Sequence, residues 1–313
     1  KGLSLAKLFQ ADLSATQVVS AQQEQQRLQT LLATLPEDER ASLTTELPAV
    51  CPRGARFGWL ADEASDAGIA FTSKPLSGHT LDNLLEHYAQ ATSDLLVLGA
   101  GQDDGPRALG SVCERLLRQN RTDTLVLKSS QETSPDARIL VCMDGSRYSY
   151  AGLKTALALS KETGRPVEAV AVYDPYLHYT LFNGIVNVLS AEASKVFKFK
   201  DQEKLHEEII DTGLAKIYQA HLEVAREVAR EHGTDIDITL LDGKAFQRIL
   251  RHTRRNPVWL LVVGRTGVHS GSSGMDIGAT AENLLRTASS RGRPRPRSST
   301  RVQSKTESPT TPR

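Results

Sequence analysis

An internal repeat limits what this chain can fold into more than any other feature of its sequence. Gly243 is followed by Phe246, Ile249, Leu250 and His252, and then by Trp259 and the apolar run Leu260–Val263, which stops at Gly264. Gly78 is followed in the same way by Leu81, Leu84, Leu85 and His87, and then by Asp94–Gly99. The two glycine pairs are the same distance apart. Beyond each run comes a loop, and then Gly110-Ser111-Val112-Cys113-Glu114-Arg115-Leu116-Leu117-Arg118 matches Gly278-Ala279-Thr280-Ala281-Glu282-Asn283-Leu284-Leu285-Arg286. Strand, glycine-bearing loop and helix therefore occur twice, and two copies of one α/β unit make up the chain. Its 313 residues suit about two domains, each long enough to bury a core.

Taken in order, Gly2–Leu13 is amphipathic, and no leading strand precedes it. Gln17–Leu35 has Val18, Val19, Leu28, Leu31 and Leu32 among Gln and Glu, a spacing that predicts a helix. Helices are expected at Trp59–Ala67, Leu81–Ala89 and Val112–Arg118, and strands at Ile69–Phe71, Leu95–Leu98 and Thr124–Leu127. A turn-forming stretch, Ser129–Asp136, divides the copies. Arg138–Cys142 reads as a buried strand, Tyr150–Thr163 as a helix ended by Gly164, and Val167–Tyr173 as a second strand. That alternation is the βαβ signature of a parallel sheet. Asp174–Ile210 reads as an aromatic-rich insertion. Thr212–His232 follows as a helix with Leu214, Ile217, Ala220, His221, Val224 and Val228 on one face, then Ile236–Leu240 as a strand. From Ser289 the chain turns to Arg, Pro, Ser and Thr, a composition expected to be disordered. The expected domains are thus 1–130 and 137–288, with an insertion at 174–210 and a basic tail at 289–313.

Charge excludes some functions. With 38 basic against 37 acidic residues, no strong field selects nucleic acid or an anionic membrane. No apolar run approaches the roughly 18 residues of a membrane-spanning helix, and no secretory signal is evident, so a cytoplasmic protein is expected. Cys51, Cys113 and Cys142 are odd in number and widely spaced, which favours reduced thiols over a disulfide framework or a metal site. His206-Glu207-Glu208 lacks the second His of a metal-binding helix.

Chemistry is expected beyond the carboxyl ends of the parallel strands, where strand order reverses. Two loops have the right content, Met143–Ser146 and Gly264–Gly278. If their strands are neighbours, Asp144 faces the glycine loop. Its carboxylate can accept hydrogen bonds from a ribose or an adenine amino group, while glycines and a helix N-terminus hold phosphate. Gly105 and Gly110-Ser111 lack the Lys of a P-loop, Gly99-Ala100-Gly101 lacks the third glycine of a dinucleotide fingerprint, and no Gly-x-Ser-x-Gly marks a nucleophile.

These residues resemble tandem universal stress proteins, over nearly all of Ala137–Ala288 and less completely over Ile69–Lys128. That family carries an Asp just after its first strand, matched by Asp144. Its ATP-binding members have Gly, two residues, Gly, nine residues, Gly and then Ser or Thr, matched by Gly264, Gly267 and Gly278. The gap after Gly267 is one residue longer here, and Ala279 stands at the hydroxyl position, with Thr280 beside it. The first copy keeps Ser111 but has Gln102 at the second glycine position, and its Asp strand would lie before Lys1. The closing strand expected soon after Ala288 is replaced by Ser289–Arg295.

The resemblance implies two tandem Rossmann-like or flavodoxin-like domains with parallel sheets, the first N-terminally incomplete. It implies a stress-response regulator whose second domain binds ATP or AMP, with or without Mg2+, through Asp144, Gly145, Ser146, Val172, Gly264, Gly267, Gly278 and Thr280. No dedicated catalytic residue is expected; Asp276 is the one acid near the loop for an ATPase. The competing expectation is a fold kept for protein association alone, with self-association as a dimer. The insertion is expected to cover the loop, dock on another subunit or pack as extra core, and the altered end after Ala288 to weaken self-association.

Overall fold

A computed structural model describes residues 2–19, 57–77, 80–90, 93–100, 109–128, 134–175, 199–268 and 277–288, with short pieces at 29–30, 33–34 and 36. The expectations for Asp276, for most of the insertion and for the tail lie outside these residues.

The second half is built on β5 (Arg138–Met143), β6 (Val167–Tyr173), β7 (Asp237–Asp242) and β8 (Val258–Val262). They form one parallel sheet in the order β7-β6-β5-β8. Helices α5 (Arg147–Thr163), α6 (Phe199–Glu231), α7 (Ala245–Arg255) and α8 (Ala279–Thr287) complete it. The continuous apolar character of Ile139–Met143 suits the inner position that β5 takes, because both faces of that strand are covered. Side-chain alternation then sorts the core into two layers. Ile139, Val141 and Met143 pack with Leu153 and Leu157 of α5 and Leu222 and Ala225 of α6. Leu140 and Val170 pack on the other face with Ile249 and Leu250 of α7 and Leu284 of α8.

Local signals set the ends of α5. The Ser146 side chain accepts from the Ser149 N–H, and Gly164 ends the helix in the left-handed conformation at φ 67°. Helix α6 starts at Phe199, so the last part of the expected insertion belongs to this helix. Its buried stripe is Leu222, Ala225 and Ala229, flanked by Tyr218 and Val228, whereas Ile217 and Val224 are exposed. The expected face was rotated because small alanines carry the core contact, and they give a weaker hydropathy signal than the exposed Ile and Val.

The first half contains α1 (Gly2–Phe9), β1 (Leu13–Val19), α2 (Gly58–Asp66), β2 (Phe71–Ser77), α3 (Thr80–Gln90), β3 (Leu95–Gly99), α4 (Ser111–Gln119) and β4 (Asp123–Leu127). Among the described residues β1 pairs with β2 alone and β3 with β4 alone, both in parallel. Gln17–Val19 is therefore strand, not the start of the expected helix: the β-branched Thr16, Val18 and Val19 pair in register with Lys74, Leu76 and Ser77. β2 runs to Ser77 rather than ending at Phe71. Pro75 fits there because β2 is the edge of its pair, where a missing N–H is tolerated.

The halves meet through the matched helices α4 and α8. Arg118 pairs with Glu282 at 2.6 Å and Arg286 with Glu114 at 2.5 Å. Since Glu114 matches Glu282 and Arg118 matches Arg286 in the repeat, each pair is the other with the copies exchanged. That is the reciprocity of a two-fold interface, contained within one chain. Leu109 and Leu117 from one copy and Ile277 and Leu285 from the other line the apolar space beneath.

Candidate functional site

β5 neighbours β6 on one side and β8 on the other, so strand order reverses between β5 and β8. The loops leaving these two strands consequently meet. Asp144, just past β5, accepts from the Ser146 N–H through Oδ1 at 3.0 Å and from the Val268 N–H through Oδ2 at 3.1 Å. The carboxylate thus holds its own turn with one oxygen and the glycine loop with the other.

Three of the nearby glycines have a steric reason. Gly145 sits at φ 82°, a conformation that side chains strain. A Cβ at Gly267 would lie 2.7 Å from Asp144 Oδ2, so contact between loop and carboxylate requires glycine. A Cβ at Gly264 would press on Tyr148 Cβ at 3.2 Å and the Thr266 carbonyl at 3.3 Å, at the start of α5. Gly278 donates its N–H to the Arg265 carbonyl and precedes α8, whose start has no side-chain cap.

Two expected residues have other local contacts. Ser146 caps α5 with its hydroxyl. Val172 packs with the Leu140 layer, leaving its backbone at the end of β6. Ala279 and Thr280 open α8, Ala279 exposed and Thr280 half-buried.

Residues outside the expected set also border the site. The His221 ring lies against Gly145: a Cβ there would come within 2.4 Å of Nε2. Tyr218 meets His221 edge-on at 6.0 Å, and Tyr173 meets Tyr218 at 6.5 Å. Burial first, and then the Asp144 charge, raise the phenol pKa values of Tyr150 and Tyr218. The same two causes push the Cys142 thiol up to about 12. His221 was expected on one face of this helix; Tyr218, three residues before it, was not singled out.

Arg265, between the first two glycines of the loop, reaches into the first half. Its guanidinium donates to the Arg118 and Asn120 carbonyls at 2.5 Å each, at the C-terminal end of α4, where a cation complements the helix dipole. The loop is thus fastened to Asp144 on one side and to the other repeat on the other. Among the described residues no cluster of three or more His, Cys, Asp or Glu suits a metal ion, and no helix is long and apolar enough to cross a membrane.

Among the described residues, the second half is a reversing parallel sheet with a carboxylate after β5 and a glycine loop after β8. The universal stress protein family profile matches residues 1–128 and 137–290, and the chain belongs to that family. A universal stress protein structure from Archaeoglobus fulgidus is 17% identical, covering 91% of this chain and 88% of its own, with a TM-score of 0.55. A structure from Pseudomonas aeruginosa described as a universal stress protein is 15% identical, covering 90% and 91%, with a TM-score of 0.52. At such identities the likeness is one of fold.

Proposed function

We propose that the second half binds an adenine nucleotide, ATP or AMP with or without Mg2+, and that the protein acts as a cytoplasmic stress-response regulator rather than as an enzyme. The observation that carries this reading is the direct bond between Asp144 and the Gly267–Val268 backbone at the sheet's reversal point. It brings a carboxylate that recognises hydroxyl or amino donors to a loop and helix start rich in backbone N–H groups. The donor set fits the ligand: Gly264, Gly267 and Gly278 carry no side chains to obstruct phosphate, and the start of α8 has no side-chain cap. Asp144 would meet the nucleoside, and Gly145, Ser146, the Val172 backbone and Thr280 would border it.

Isothermal titration with ATP and AMP, with mass spectrometry of co-purified ligand, tests the reading. Gly267→Val should abolish binding, because its side chain displaces the Asp144 carboxylate and fills the loop. Asp144→Ala should weaken binding roughly ten- to hundredfold, the worth of about 1.5–3 kcal/mol for a charge-assisted hydrogen bond. One observation favours a second reading, association without nucleotide. Both Asp144 oxygens already accept backbone N–H groups, and Ala279 offers no hydroxyl at the helix start. No heat and no bound nucleotide would select that reading.

A further inference from the structure

Helix α6 carries two apolar stripes, and the fold of the second half uses one of them. Leu222, Ala225 and Ala229 are fully buried against the sheet, with Tyr218 and Val228 beside them. Ile217, Ala220 and Val224 make the second stripe, spaced three and four residues apart and therefore on one side of the helix. That side lies roughly 140° round the helix from the buried one, at 3.6 residues per turn. All three residues are exposed, Ile217 at 53% and Val224 at 49%. Packing on the sheet does not call for Ile and Val at these places, and a contiguous apolar stripe in water marks a surface that another element covers.

We propose that this stripe pairs antiparallel with the same stripe on a second copy of the chain, with Ala220 at the two-fold axis. The choice of occupant rests on self-complementarity. Ile217 precedes Ala220 by three residues and Val224 follows it by four, so reversing the helix about Ala220 sets Ile217 opposite the partner's Val224, and Val224 opposite the partner's Ile217. Ala220, the smallest of the three, meets the partner's Ala220 where the helix axes come closest. The charges obey the same reversal. Lys216 and Glu223 lie seven residues apart along one edge of the stripe, both exposed. Lys216 therefore comes beside the partner's Glu223, and Glu223 beside the partner's Lys216. Within its own helix Glu223 accepts from Gln219 at 2.8 Å and from Arg226 at 2.7 Å, which holds the carboxylate at that edge. The surface is separate from the α4–α8 seam, which the two repeats of one chain already fill, and the pairing does not depend on what the glycine loop binds.

Sedimentation equilibrium of the full chain tests the pairing. A few turns of helix bury less than a standard interface, so a dimer with a Kd on the order of 1–100 µM is expected, the mass rising from that of one chain toward twice that value with concentration. Ile217→Glu and Val224→Glu should each keep the chain monomeric across that range, with thermal melting showing that the fold survives. Lys216→Glu and Glu223→Lys should each weaken the dimer roughly fivefold or more, and the two together should restore it, because the exchanged charges pair again. A wild-type chain that stays monomeric throughout would overturn the proposal, as would a dimer that survives Val224→Glu or a charge exchange that brings no rescue. Glutamate variants that unfold the chain would show that its own residues cover the stripe, and would overturn the proposal as well.

Discussion

In the second half β5 lies between β6 and β8 and joins four strands into one sheet, whereas the described strands of the first half pair only as β1 with β2 and β3 with β4. The glycine match aligns β2 with β7 and β3 with β8, and the strand registers then align β1 with β6. What the second half has and the described first half lacks is a strand in the position of β5. That strand covers two core layers and ends at Asp144, so the same element supplies the sheet's centre and the carboxylate that holds the glycine loop. In the first copy Gln102 stands at the second glycine position.

The largest expected difference between the halves lies at the opposite end of the sheet. Glu168 on β6 is 3% exposed and accepts from Arg138 at 2.9 Å and Thr239 at 2.7 Å, with His252 Nε2 at 2.8 Å. The residue at the same register in the first half is Ser14, which faces Thr72 as Glu168 faces Asp237. Glu168→Ala should cost about 1–3 kcal/mol, because it leaves Thr239 and His252 without their buried acceptor, while Arg138 keeps Asp237 at 3.2 Å. Ser14→Ala should change stability by about 0.5 kcal/mol or less. Urea denaturation of both variants checks the contrast. A Glu168→Ala loss under about 1 kcal/mol would mean that the cluster does not hold the second sheet together.

The thiols give a second comparison. Burial and then the Asp144 charge push Cys142 up to about 12, from an ordinary 9.0. Cys113, in the first half, is also raised by burial, while nearby Lys128 pulls the other way. A thiol whose folded pKa exceeds its unfolded value contributes stability that is present below the unfolded pKa and lost as pH rises toward the folded one. Stability should therefore fall between about pH 9 and 12. At pH 8 the thiolate fraction of Cys142 should be roughly a thousandfold below that of the unfolded chain, and alkylation correspondingly slow. Iodoacetamide kinetics in a Cys51→Ser background should rank Cys142 slower than Cys113. The reverse order would show that the β5 end opens to solvent.

Much of this fold could be read from residues, and the misreadings have physical causes. Val167–Tyr173 was expected and found with the same bounds, because a strand covered on both faces is apolar along its length apart from Glu168. The end of β1, Gln17–Val19, was read as the start of a helix because Val18 and Val19 precede an apolar spacing of later leucines, and periodicity does not show that the strand's partner lies more than fifty residues on, in β2. β2 itself contains Lys74 and Pro75, and an edge strand has no alternation to detect. At the site, the approach of Asp144 to the glycine loop followed from strand order. The role of Arg265 did not, since its partners are carbonyl oxygens of the other repeat, which have no sequence signature.

The smallest expected effect concerns the seam where the comparison becomes a contact. Arg118–Glu282 and Arg286–Glu114 are reciprocal, and their side chains are about a third exposed, so solvent screens both. Each pair should contribute about 0.2–1 kcal/mol, and the two should contribute alike if the interface is symmetric in energy as well as in sequence. The pairs share neighbours, however, because Arg118 also reaches Glu114 at 3.5 Å and Arg286 also reaches Glu282 at 3.1 Å. The four charges therefore form a ring, and single deletions are not independent. A double-mutant cycle on Arg118→Ala and Glu282→Ala, set against one on Arg286→Ala and Glu114→Ala and repeated at high salt, should give two small couplings of the same sign that shrink together. A coupling in one pair and none in the other would show that the seam is symmetric in sequence but held by one repeat.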